Sequence, residues 1–193
     1  MKKIITATVG VVCIFSALAS PALAKQNSHM KITGLTSQPI GHHNYCKLYP
    51  SDCSIKSNNT TAPKLTRERW KQMVEVNNFS NSTIKPVTDL EFYNTEEHWA
   101  YPKSYGDCED YVLMKRHMLI QQGWPPSALL ITVVRQPNGE GHAVLTVRTD
   151  RADYILDNLN NKILQWNETE YTYLKRQSVN FSGHWANIKD KRG

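Results

Sequence analysis

A chain of 193 residues, 40% of them apolar, with a formal charge of +6, has the size and composition of one domain with its own core. Its basic residues are scattered, apart from Lys189-Asp190-Lys191-Arg192, and no aromatic-plus-basic motif accompanies them. That distribution reads as solvated surface and argues against a nucleic-acid partner.

Residues 1–24 read as a secretory signal peptide. Lys2 and Lys3 form the basic start, Ile4 to Leu18 the apolar stretch, and Ala22-Leu23-Ala24 the small-x-small cleavage site. The run is short for a membrane span and ends in Ser20-Pro21. The expectation is an exported chain, periplasmic in a bacterium, with no stable membrane insertion after cleavage. Cleavage removes Lys2 and Lys3, leaving +4, and removes Cys13, leaving Cys46, Cys53 and Cys108. In an oxidising compartment, Cys46 and Cys53 suit a local disulfide across a turn at Pro50. A zinc site built from the same cysteines with His42 and His43 is the rival, although the spacing matches no common zinc pattern. Cys108 is then the odd cysteine, either buried and inert or a working thiol.

Residues 25–63 are polar and rich in Ser, Asn, Thr and Pro, and read as an extended arm carrying the Cys46–Cys53 loop. A domain over residues 64–193 follows. Thr66 is placed as the N-cap of a helix, with Leu65 and Trp70 as a hydrophobic staple and Trp70, Met73, Val74 and Asn77 on one face. Asp89 to Lys103 reads as a loop. A second helix runs from Asp107 to Gln122 and stops at Gly123. Strands are predicted over Ala128 to Val134, His142 to Arg148, Asp153 to Asp157 and Lys162 to Trp166, followed by a polar segment holding Tyr171, Tyr173 and Trp185. Helices ahead of an antiparallel meander make an α+β pattern.

The chemistry centres on Gly106-Asp107-Cys108-Glu109-Asp110-Tyr111. With Asp107 as N-cap and Asp110 completing an acidic capping box, Cys108 falls in the first helical turn. Free N–H groups and the macrodipole favour a thiolate there. Glu109 and Asp110 oppose it, so a counter-cation is needed. Gly141-His142-Ala143-Val144-Leu145 supplies a histidine. If the following hairpin centres on Thr149-Asp150, His142 lies opposite Asp157 on one face, and the carboxylate can orient the ring. Cys108 is then the nucleophile, His142 the acid–base group and Asp157 the orienting group, with the Cys108 backbone N–H and one further donor as oxyanion hole.

These motifs, with Leu156-Asp157-Asn158, resemble the bacterial transglutaminase-like cysteine peptidases. The similarity runs from about Pro39 to Trp185 and takes in Cys46, Cys53, Trp70, Pro86, Trp99, Tyr101-Pro102, Trp166 and Arg176-Gln177. It implies a transglutaminase/papain-like fold and a triad of Cys108, His142 and Asp157. Some members are periplasmic and clip large surface adhesins. For this chain the resemblance therefore implies a protein substrate, a surface adhesin, and an inner-membrane receptor as regulator. In those members acidic residues flanking the cysteine bind calcium, and the matching positions here are Asp107 and Glu109. The same thioester chemistry also serves transglutaminases and deamidases, and a non-catalytic binding module of this fold is the reading without an enzyme. Two departures stand out: His42 or His43 replaces a common Trp, and Arg151-Ala152 replaces a Gly-containing turn.

Overall fold

The computed structural model describes residues 28–192; the expected signal peptide lies outside the described residues. The fold is α+β, built on a large antiparallel sheet with helices against it. In chain order the elements are β1 (Ile32–Thr36), α1 (Ile40–Leu48), α2 (Pro50–Cys53), α3 (Arg67–Thr83), β2 (Lys85–Pro86), α4 (Asp89–Tyr93), β3 (Tyr105–Gly106), α5 (Cys108–Gln121), β4 (Leu129–Arg135), β5 (Gly141–Arg148), β6 (Asp153–Leu156), β7 (Leu164–Gln165), β8 (Thr172–Gln177) and β9 (Trp185–Ile188). Seven strands form one sheet in the order β1-β9-β8-β4-β5-β6-β7, and β2 pairs with β3 separately.

Alternation along the strands sends side chains to two cores. Leu129 and Ile131 of β4 and Ala143, Leu145 and Val147 of β5 meet Val112, Leu113 and Leu119 of α5. On the other face Val134, Val144 and Ile155 pack with Met30, Trp166, Tyr173 and Ile188. The helix carrying Cys108 is thus clamped between α3 and the middle of the sheet.

Thr66 caps α3 as predicted, its Oγ1 accepting from the Arg69 N–H at 3.2 Å. The buried face of that helix is Met73, Val76, Asn77 and Ser80; Trp70 stays at its edge, 37% exposed, against Tyr154. Helix α5 ends as predicted at Gly123, whose φ of 85° suits a residue without Cβ. Residues 28–63 differ from the expected extended arm. They contribute the edge strand β1, held by β9, and two short helices whose Tyr45 and Cys53 enter the main core. Cys46 and Cys53 form the disulfide, which leaves no thiolates there for zinc. Buried His42 packs against it, accepting from Trp185 Nε1 at 3.2 Å.

The β5–β6 hairpin corrects the predicted register. Leu145 pairs with Leu156 and Thr146 with Ile155, a shift of two residues from the expected alignment. Thr149 sets the turn: its Oγ1 donates to the Ala152 carbonyl at 2.8 Å and accepts from the Ala152 N–H, so the loop centres on Asp150–Arg151. An even shift leaves every side chain on its face. Asp157, one residue beyond β6, is therefore a diagonal neighbour of His142 and not its directly opposed partner.

Candidate active site

Gly106 closes β3 immediately before the site. A Cβ there would come within 2.7 Å of Asp110 Oδ2, so this close approach needs glycine. The Asp110 side chain accepts the Ala100 N–H at 2.8 Å, which pins the Trp99–Tyr101 loop. Asp107 occupies the N-cap position, but its carboxylate accepts no helix N–H. The predicted capping box therefore lacks its Asp107 half. Asp107 instead joins Asp89 and Glu109, with one ligand oxygen from each within 4.8 Å of the others.

Cys108 begins α5, half-buried, and lines a cleft of about 310 Å³ with His142, Asp107, Thr88, Gln136 and Asn158. Its thiol donates to Glu109 Oε2 at 3.0 Å. On the facing strand His142 Nε2 donates to Asp157 Oδ1 at 2.9 Å, with both side chains buried. That bond leaves Nδ1 as the ring's second nitrogen. Asp157 Oδ1 also accepts the Leu159 N–H at 3.0 Å, and Oδ2 accepts the Tyr171 hydroxyl at 2.6 Å. Burial pushes the Asp157 carboxyl up, but the bonds from His142, Tyr171 and Leu159 outweigh it and hold its pKa below the ordinary value.

The acidic trio behaves in the opposite way. Burial, then the Asp107 charge, pushes Glu109 up to about 9. Burial and the Asp89 charge push Asp107 up to about 6. Burial also raises Asp89, although its Oδ2 accepts the His98 N–H. The Cys108 thiol is pushed up as well, first by burial and then by Glu109. Without a cation, the helix N-terminus does not by itself yield a thiolate. Burial is the larger cause, and the opposition of Glu109 read from the sequence adds to it.

The trio fits a hard divalent cation. Calcium takes carboxylate oxygens at about 2.4 Å, so two ligand atoms across one ion lie at most about 4.8 Å apart. The three oxygens satisfy that limit, and Asp107 Oδ1 is buried with no hydrogen-bond partner. Asp107 and Glu109 are the residues singled out from the sequence; Asp89 is new. Its place after Thr88 reads as ordinary helix capping, which it also is, since Thr88 and Glu91 form a capping box around it.

Residues 32–193 match the sequence family described as bacterial transglutaminase-like cysteine proteinases. The chain belongs to this family. As a member it is a cysteine peptidase, and its substrate is a protein. Solved structures similar to it include calcium-bound Legionella pneumophila LapG, at a TM-score of 0.54 and 23% identity over 80% of this chain and 84% of that one. EGTA-treated Legionella pneumophila LapG matches at a TM-score of 0.50 and 23% identity, over 81% of this chain and 85% of that one. At these identities the likeness speaks for the transglutaminase-like fold. No curated protein matches the chain in sequence. Among the described residues, no helix is long and apolar enough to cross a membrane.

Proposed function

We propose that the chain is an exported, calcium-dependent cysteine endopeptidase acting through Cys108, His142 and Asp157. The observation that carries the reading is a cleft lined by the Cys108 thiol, His142 and Asp107, with His142 bonded behind it to buried Asp157 and with Asp89 and Glu109 clustered on Asp107 beside the thiol. Cys108 attacks the scissile carbonyl carbon after His142 takes its proton. His142 returns that proton to the leaving amine, and the thioester remains on Cys108. His142 then deprotonates a water that releases the acyl group. Asp157 holds the ring and stabilises the imidazolium through Nε2–H.

Asp89, Asp107 and Glu109 are the residues to hold calcium. Bound there, the ion supplies positive charge that keeps these carboxylates ionised and offsets their repulsion of a thiolate. The similar Legionella structures, described as calcium-bound and EGTA-treated, favour this ion. A large surface adhesin as substrate, a periplasmic setting and an inner-membrane regulatory receptor follow from the family resemblance.

The test is cleavage of a surface adhesin by the purified protein. Wild type with calcium should yield defined fragments. EGTA should stop cleavage, calcium but not magnesium should restore it, and Cys108→Ala should be inactive at unchanged melting temperature. Undiminished cleavage in EGTA removes the calcium claim, and cleavage by Cys108→Ala removes the triad.

A further inference from the structure

Asp157 stands one residue past the end of β6, where no ladder bond fixes it. Its backbone carbonyl accepts Asn81 Nδ2 at 2.8 Å, which anchors the main chain but not the carboxylate. Both the His142 and Leu159 bonds fall on Oδ1. A carboxylate held through one oxygen can still swing about that atom. Oδ2 is taken by the Tyr171 hydroxyl at 2.6 Å, in the short range of a charge-assisted O–H···O⁻ bond.

Tyr171 immediately precedes β8, so its backbone is tied to the sheet that carries His142. Its ring also lies against the imidazole, with centroids 5.5 Å apart and planes inclined at 59°. One side chain therefore touches both Asp157 and His142. Burial, then the Asp157 hydrogen bond, pushes the Tyr171 hydroxyl pKa up, so it remains a donor at neutral and mildly alkaline pH.

We propose that Tyr171 is the positioning residue of this site: its hydroxyl fixes the Asp157 rotamer and its ring limits the swing of His142. The inference rests on the triad assignment above. Two variants separate the two parts of the role. Tyr171→Phe keeps the ring and deletes the hydroxyl, while Tyr171→Leu deletes both.

The probe is p-nitrophenyl acetate in calcium-containing buffer, whose slow step in a thiol enzyme is hydrolysis of the acetyl-thioester by an activated water. Tyr171→Phe should lower kcat by roughly 10-fold with KM nearly unchanged. The His142 Nε2–H resonance should exchange slowly in the wild type and broaden or vanish in the variant. A Phe variant matching the wild type while the Leu variant fails would reduce Tyr171 to packing and overturn the proposal. A wild-type His142 Nε2–H exchanging as fast as that of an exposed histidine would also overturn it, whatever the variants do. Cys108→Ala separates this failure from failure of the triad. If that variant still turns over the ester, the triad reading falls; if it is inactive and Tyr171→Phe is unaffected, only the Tyr171 proposal falls.

Discussion

Glu109→Gln should make the calcium-free protein more stable. Glu109 is 6% exposed, and in the fold its carboxyl is pushed up to about 9 from an ordinary 4.5. A carboxyl raised in this way contributes its full stability below about pH 4.5 and loses it as pH rises toward 9. At pH 7.5 the loss spans about three pH units, which at about 1.36 kcal/mol per unit is on the order of 4 kcal/mol. Asp107 shares the proton, so roughly 2–4 kcal/mol is the working range for the pair. Glutamine keeps the shape and has no proton to take up. At about 2–4 °C per kcal/mol for a domain of this size, the melting temperature of the variant in EGTA should exceed that of the wild type by roughly 5–15 °C. Calcium should narrow or reverse this gap, because it stabilises the wild type by mass action, by about 2.7 kcal/mol at one hundred times its Kd. Melting curves at pH 7.5, with EGTA and with calcium, decide it. A variant no more stable than the wild type in EGTA, with the same calcium shift as the wild type, would refute a buried carboxylate trio that awaits a cation.

Three further outcomes follow from the same geometry. Cys46→Ser with Cys53→Ser opens a short covalent loop, since the cysteines are 7 positions apart. That should cost about 2.5 kcal/mol by loop entropy, read as a lower urea midpoint at unchanged m. His42 is buried, and burial, with Arg116 and His43 nearby, lowers its pKa to about 4. The neutral ring stabilises the fold above its unfolded value near 6.5, and this is lost as pH falls toward 4; His42→Gln should remove about 3 kcal/mol of that acid sensitivity in urea unfolding between pH 7 and 4. Asp89→Asn should raise the calcium needed for half-maximal activity without emptying the helix cap, which belongs to Thr88; an unchanged calcium titration would exclude Asp89 as a ligand.

The site was legible in the sequence where it is local. Gly106 to Tyr111 places the thiol at a helix start, and the odd cysteine count singles it out. The pairing of His142 with Asp157 was legible only in part. Hairpin parity put both on one face, but the Thr149 side-chain turn moved the loop centre by one residue and made the contact diagonal. Asp89 and Tyr171 were invisible because they reach the site through the tertiary fold: one from a short helix across the cleft, the other from the residue before β8. The same holds for β1, β8 and β9. Their exposed or mixed faces carry no clean alternation, and they pair with one another only because the sheet continues outward past β4. The capping box read from the sequence did not close, because Asp107 turns to Asp89 and Glu109 and makes no cap bond, while Asp110 also reaches the Ala100 N–H.

The central claim is that Cys108 forms a thioester that water resolves. A protein substrate incubated with the wild type in ¹⁸O-water, alongside a labelled primary amine, tests it directly by mass spectrometry. New carboxyl termini should carry one ¹⁸O, with little amine incorporation, and neither product should form with Cys108→Ala. An intact chain with amine attached, or ¹⁸O-labelled ends produced equally by Cys108→Ala, would contradict it.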